Sequence, residues 1–331
     1  MTRGVAIVGA GLVGAKRAAA LPAGSDLRTV FDPVPERARA VAESRPGATT
    51  TDSVEAAIDD SAVSLVIVAT PHGRLASIAT AALQRGRDVL VEKPGGDSLR
   101  ALLELRDAAR AAGRRVRVGF NHRFHPAVLR VKDDVGSGQY GPVFGIRARY
   151  GHGGRVGYER EWRAQREVSG GGELVDQGLH LVDLVRHLTG DVELVFSELR
   201  TDFWPVDVED NAYLALRTGS GAFAWLHASW TEWKNLFSLE VTMRGAKLEI
   251  SGLGGSYGVE RLTRYEMLPE MGPPVTASWE WPQPDGSWAA ELDDVLADFE
   301  GRPARGADLD DAIAAFRVVE AAYGRRSAEP H

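Results

Sequence analysis

Over the first 120 residues the hydrophobic pattern alternates between short continuous apolar runs and stretches of helical period. The runs at 5–8, 27–32, 64–69, 88–92 and 116–120 have the length and continuity of strands covered on both faces. Helices are expected at 12–21, 35–44, 54–58, 75–84 and 98–112, the last closed by Gly113. Regular strand–helix alternation with short connections predicts an α/β, doubly wound parallel sheet. After Asn121 the pattern changes. A helix at 126–135, a strand at 143–150, a polar Gly-rich loop at 151–168 and a helix at 173–188 lead into seven strand-like runs. These lie at 193–203, 211–217, 222–230, 237–243, 247–250, 259–267 and 276–281, and helices at 289–299 and 309–323 follow. Strands with little helix between them predict a large open, mostly antiparallel sheet in an α+β domain. Alternation is clearest in 222–230, where Phe223, Trp225, His227 and Ser229 share one face. The boundary expected from this change divides the chain into a first domain of 1–120 and a second of 121–331.

Length and composition agree with two globular domains: 331 residues, 44% hydrophobic and 26% charged. A net charge of −7 gives no global attraction to nucleic acid or anionic membrane. The absence of cysteine excludes disulfides, thiolate catalysis and cysteine-based zinc sites, and no metal ligand set stands at a diagnostic spacing. Glycines together with Lys16 and Arg17 interrupt the apolar N-terminus, which reads as strand, turn and helix rather than a secretory signal. No apolar run has the length to span a bilayer, and the expected location is the cytoplasm.

Three stretches carry candidate chemistry. In the first, Gly9-Ala-Gly11-Leu12-Val13-Gly14 has the G-x-G-x-x-G spacing directly after a strand. Such glycines permit a tight turn, close approach of a pyrophosphate, and close packing of the following helix. Asp32 ends the second strand 18 residues beyond Gly14, where a carboxylate accepts adenosine ribose hydroxyls and repels a 2′-phosphate. NAD is therefore expected ahead of NADP.

In the second, Glu92-Lys93-Pro94 stands at the carboxyl end of a parallel strand, where ligands collect in open α/β sheets. The chain has 34 arginines and 5 lysines, so a lysine here is informative, since its charge can be titrated. Lys93 reads as a titratable or polarising group, or as a solvent-exposed partner of Glu92. In the third, Ser169-Gly-Gly-Gly-Glu-Leu-Val-Asp176-Gln-Gly-Leu-His180-Leu-Val-Asp183 sets Asp176 and His180 four apart on a helix. That spacing puts them on one face. Asp–His pairing suits proton transfer, with Asp183 available to orient the imidazole, and a helix-surface ion pair is the alternative. His187 reads as a helix-end surface residue.

Taken in order, Gly9-x-Gly-x-x-Gly14, Asp32, Thr70-Pro71, Glu92-Lys93-Pro94, Asn121-His-Arg-Phe-His-Pro126 and Gly171-Gly172…Asp176-x-Gly-x-His180 resemble the Gfo/Idh/MocA oxidoreductases over nearly the whole chain. The resemblance implies a Rossmann domain, a second domain whose open sheet forms dimers or tetramers, and a catalytic group of Lys93, Asp176 and His180. Many members carry a His four residues after the proline of the Thr-Pro element. Here that position is Leu75, and His72 follows Pro71 directly, so the cofactor contact of this loop is expected to differ. Trp162-Arg163 looks like the Trp-Arg element that some sugar-acting members bring towards the nicotinamide, or it caps a loop. Arg123 and His125 line the pocket or stabilise the junction of the domains.

The resemblance implies an NAD-dependent enzyme that interconverts a secondary alcohol and a ketone on a sugar, sugar derivative or cyclitol. A redox-neutral enzyme with retained NAD (an epimerase or glycoside-cleaving relative) and a non-catalytic NAD sensor are the alternatives. The expected cofactor contacts are Gly9, Gly11, Leu12, Val13, Gly14, Asp32, Thr70, Pro71, His72, Glu92, Lys93, Trp162 and Arg163. The expected substrate contacts are Lys93, Arg123, Arg163, Asp176 and His180. Arg155, Arg160, Arg163 and Arg166 leave room for a phosphate or nucleotide on the substrate.

Overall fold

A computed structural model describes residues 3–270 and 272–326. The chain divides into two compact units, one made of residues up to Asn121 together with Trp288–Ile313, the other of His122–Ser287 with Ala314 onward.

The first unit is a parallel sheet in the order β3-β2-β1-β4-β5-β6. Its strands are β1 (Gly4–Val8), β2 (Asp26–Phe31), β3 (Thr49–Thr50), β4 (Val63–Val68), β5 (Asp88–Glu92) and β6 (Val116–Gly119). The connecting helices are α1 (Leu12–Ala20), α2 (Pro35–Glu43), α3 (Val54–Asp59), α4 (His72–Gln84) and α5 (Leu99–Ala112). The strand order reverses direction at β1/β4, the position where such sheets open a crevice at their carboxyl ends. Val5, Ile7, Val30, Leu65, Ile67 and Leu90 are fully or almost fully buried, as the continuous apolar runs require. Local signals set the helix ends. The Ser98 hydroxyl accepts the Ala101 N–H at 3.3 Å to start α5, and Gly113, at φ +59°, ends it. Helix α4 begins at His72 rather than at 75, because Pro71 serves as its N-cap and can precede a first turn without a donor of its own.

Residues 288–313 belong with this unit, whereas the pattern along the chain suggested one boundary near 120. Leu292, Val295 and Phe299 join the cluster around Val5, Ile7 and Leu65. Arg117 bonds Asp298 at 2.9 Å, and the Val118 N–H donates to Ala307.

The second unit is an eight-stranded sheet in the order β14-β13-β12-β11-β7-β10-β9-β8, parallel between β7 and β10 and antiparallel elsewhere. Its elements in chain order are α6 (Pro126–Gly136), β7 (Val143–Gly151), α7 (Arg166–Ser169), α8 (Leu179–Thr189), β8 (Val192–Arg200), β9 (Asn211–Thr218), β10 (Phe223–Ser229), β11 (Leu236–Met243), β12 (Ala246–Ser251), β13 (Glu260–Glu266) and β14 (Val275–Trp281). Two helices close the chain, α9 (Ser287–Phe299) and α10 (Leu309–Arg326). Leu181, Leu184 and Val185 of α8 are fully buried against the sheet face that carries Ile146, Ala148 and Leu226. Each such side chain stabilises the unit by about 1.5–3 kcal/mol. On the opposite face Phe223 and Trp225 are exposed, Phe196 stacks on Trp225, and Tyr213 stacks on His227 at 4.2 Å.

Candidate active site

In the first unit the glycine loop is built as its spacing predicts. Gly9 has φ +95°, a conformation that L side chains rarely adopt, and a Cβ there would stand 2.5 Å from the Ala69 oxygen. A Cβ on Gly14 would stand 1.9 Å from the Gly9 oxygen, so the helix can lie this close to the loop only without one. Gly11 differs: its missing Cβ faces open space, as a position reserved for an approaching ligand should. Gly11 is also the N-cap of α1, with no side-chain cap and no acid in the first turn, so the positive end of the helix is left to an anion. Leu12, 76% exposed, and Val13 form that first turn.

The Asp32 carboxylate is positioned by two backbone donors, Ala10 N–H to Oδ2 at 2.7 Å and Val34 N–H to Oδ1 at 2.9 Å. Each oxygen keeps acceptor capacity for a diol. Arg39 pairs with Glu36, while Arg37 lines a groove of about 420 Å³ with Gly11, Leu12 and Ala15. Open space at Gly11, an uncapped helix end and an oriented carboxylate together fit a dinucleotide.

Thr70 and Pro71 lie between β4 and α4 and are half-buried, and His72 is buried in the first turn of α4. Leu75 is fully buried core and has no polar role. At the end of β5 the Lys93–Pro94 peptide is cis, and Lys93 is half-buried. Glu92 is not a solvent partner for Lys93. It is buried, and its Oε1 accepts from Arg17 Nε at 2.5 Å. Arg17, fully buried in α1, also reaches Glu291 at 2.6 Å and lies over the Trp288 ring. Burial alone would disfavour its charge, but Glu291 and Glu92 outweigh that and raise its pKa above the ordinary value. Gly119 makes room for the cluster, because a Cβ there would stand 2.5 Å from Arg17 Nη2.

In the second unit Asp176 lies on a π-helical turn, Leu174–Gly178, that runs directly into α8. The expected uninterrupted α-helix is therefore widened by one hydrogen-bond step over Leu174–Gly178, just before His180, a feature that recurs at functional sites. The turn is anchored by fully buried Glu209. Its Oε1 accepts from the Gly172 and Leu174 N–H groups at 3.0 and 3.1 Å and from the Tyr323 hydroxyl at 2.7 Å. Side chains at 171 and 172 would collide with the Tyr323 hydroxyl and the Glu209 backbone, which accounts for the glycines before the helix.

Arg163 Nε reaches Asp176 Oδ2 at 3.1 Å, and its guanidinium lies over the Trp162 ring at 4.5 Å. The Trp-Arg element is thus brought to Asp176. His180 is buried and stacks on His122 at 3.8 Å. Asp183, which the spacing set beside the imidazole, is gripped by Arg123 at 2.6 and 2.9 Å, with both residues buried. The Arg123 guanidinium thereby holds α8. His125 bonds Glu260 at 2.9 Å and is also buried. Arg155 pairs with Glu161 and Arg160 with Glu159, so these loop arginines are held by local carboxylates.

Several polar side chains around Asp176 and His180 were not singled out by the sequence pattern. Tyr150 packs on Tyr257 and His122, and Gln177 Nε2 donates to the Tyr257 hydroxyl at 3.0 Å. Burial pushes the Tyr257 phenol up to about 12, so it stays protonated. His152, at the end of β7, accepts the Gly154 N–H at Nδ1 (2.9 Å), which leaves Nε2 to carry the proton. Burial lowers its pKa, with Asp176 opposing and Arg163 reinforcing the shift. Tyr158 is buried against His152 and Trp230, and its phenol is raised by burial and by Asp176 and Glu173.

Residues 3–120 match a family described as an oxidoreductase family with an NAD-binding Rossmann fold, and 128–257 match the GFO/IDH/MocA C-terminal domain. The chain belongs to the Gfo/Idh/MocA oxidoreductase family. Its first unit is the NAD-binding Rossmann domain of that family. The family includes a levoglucosan dehydrogenase of Pseudarthrobacter phenanthrenivorans, 28% identical over 199 residues. That match takes in 52% of this chain and spans only 50% of the relative. D-glucoside 3-dehydrogenase of Escherichia coli is 25% identical over 340 residues, 96% of this chain and 94% of that protein. Among solved Gfo/Idh/MocA-like structures, GenD2 from gentamicin A biosynthesis in complex with NAD superposes with a TM-score of 0.84. It is 28% identical, and the superposition covers 99% of this chain and 95% of that one.

Proposed function

We propose that this protein oxidises a secondary alcohol on a sugar, sugar derivative or cyclitol with NAD, or runs the reverse ketone reduction. The observation that carries the reading is the Asp176 turn: a carboxylate balanced by Arg163 on a π-helical step leading to His180, among Tyr158, His152 and Gln177. Such a wall offers a carbohydrate both donors and acceptors. His180 takes the hydroxyl proton, its ring orientation fixed by the stack on His122. Lys93 donates to the same oxygen and stabilises the negative charge that develops there. Asp176 accepts from a neighbouring hydroxyl and orients the ring. When bound, NAD supplies the hydride acceptor. The glycine loop and Asp32 hold it, and the Asp32 carboxylate favours NAD over NADP. Relatives named for levoglucosan and D-glucoside oxidation support a carbohydrate substrate. The exposed aromatic face of the second sheet supports a homodimer or homotetramer assembled through it.

The test is a panel of sugars, glycosides, sugar phosphates and inositols, each with NAD, followed by formation of reduced nicotinamide. One class should turn over and should raise the melting temperature only in the presence of NAD. Turnover of none refutes the reading.

A further inference from the structure

The second unit displays two large aromatic side chains. Trp233 is 63% exposed and Phe203 56% exposed, and their rings meet at 87° with centroids 4.6 Å apart. The turn that carries Phe203 is anchored. Fully buried Asp210 accepts the N–H groups of Asp202, Phe203 and Trp204 at 2.8–2.9 Å, which fixes the turn that carries Phe203. Trp204 is pinned in turn by its indole N–H on the Trp230 oxygen at 3.1 Å.

Trp233 has φ +55°, and among the described residues it is the non-glycine residue with positive φ. Glycine adopts that conformation without strain, so stability alone favours glycine there. An indole kept exposed on strained backbone points to a role in binding.

Three consecutive residues lie between this pair and the surroundings of Asp176. His152 stacks edge-on to Tyr158, whose phenol is influenced by Asp176 and Glu173. Gly153 follows, and a Cβ on it would stand 2.9 Å from Trp233 Cα. At Gly154 a Cβ would stand 2.6 Å from the Trp204 ring. The Trp233 backbone therefore packs on the residue next to His152.

Resting on the carbohydrate reading above, we propose that Phe203 and Trp233 form a stacking subsite for a second ring, so that the substrate is a glycoside rather than a free monosaccharide or cyclitol. The π face is the negative part of an aromatic quadrupole and attracts the polarised C–H edge of a pyranose. Asp176, Arg163 and His152 engage the hydroxyls of the ring being oxidised, and the aromatic pair covers the apolar face of its neighbour.

The test compares kcat/KM for a disaccharide or aryl glycoside with kcat/KM for its free monosaccharide. The variants are Trp233→Ala, Trp233→Gly, Trp233→Tyr and Phe203→Ala. The ratio should fall about five- to tenfold in the Ala and Gly variants, through KM, and should be largely retained in Trp233→Tyr. Trp233→Gly should melt no lower than the parent, which separates binding from folding. An unchanged ratio, or a Trp233→Gly variant that unfolds, overturns the subsite but leaves carbohydrate oxidation standing. Turnover of cyclitols alone also overturns it, and turnover of no carbohydrate overturns both readings.

Discussion

Arg163 holds Asp176 through its Nε at 3.1 Å while its own guanidinium rests on the Trp162 ring. The pair is half-buried. Burial disfavours the Arg163 charge, but Asp176, Tyr158 and Glu161 together outweigh it, and the guanidinium is held above its ordinary pKa. Replacing Arg163 by Met removes this charged partner from a partly desolvated carboxylate, at a cost of about 1–3 kcal/mol. The expected outcome is a kcat/KM lower by about 10- to 100-fold. Arg163→Lys should recover only part, because an ammonium lacks the planar fork and the stacking surface. Steady-state kinetics on the three proteins checks this.

The two loop glycines should separate folding from cofactor binding. At Gly14 a Cβ would meet the Gly9 oxygen at 1.9 Å, so Gly14→Ala should lower the melting temperature as well as NAD affinity. Gly11 has φ −69° and open space around its missing Cβ. Gly11→Ala should therefore fold with an unchanged melting temperature and still bind NAD more weakly. Thermal melts with and without NAD read both effects.

Arg17 sits fully buried between two carboxylates, Glu92 and Glu291. Arg17→Met leaves both without their cation, and breaking a buried pair costs about 3–5 kcal/mol. The triple variant Arg17→Met/Glu92→Gln/Glu291→Gln should recover part of that loss, since it removes the uncompensated charge. Urea denaturation of the parent and both variants measures it.

His152 gives the second unit an acid-sensitive element. Burial lowers its pKa below the ordinary value of 6.5. Below pH 6.5 the unfolded chain then takes up more protons than the folded one. The stabilisation is complete above that pH and is lost as pH falls through the lower folded value. Protonation at Nδ1 also removes the acceptor of the Gly154 N–H. Melting temperature should decline from pH 7 to pH 5, and His152→Gln should decline less steeply.

Features encoded by adjacent residues were legible in the sequence. The strand–turn–helix at Gly9–Gly14, the Ser98 and Gly113 ends of α5, and the alternation in β10 each follow from local propensity and period. Features that depend on distant partners were not. Nothing near residue 298 announces that Asp298 meets Arg117, so the return of 288–313 to the Rossmann unit was invisible. Glu92 looked like a partner for Lys93 because they are neighbours, while its partner Arg17 lies 75 residues away. The π-helical step at Asp176 has no sequence signature distinct from that of an α-helix, and its anchor is Glu209. Tyr150, Tyr158 and Tyr257 stand in no motif that singles them out. The available signal was the phenol itself, since a buried hydroxyl requires a partner.

The most direct test of the account is single-turnover formation of reduced nicotinamide from a carbohydrate substrate and NAD, in the parent, His180→Ala and Lys93→Met proteins. The account predicts turnover in the parent and a loss of about 100-fold or more in each variant, with NAD affinity retained in His180→Ala. Full turnover in either variant, or a parent that binds NAD and oxidises no carbohydrate, would contradict it.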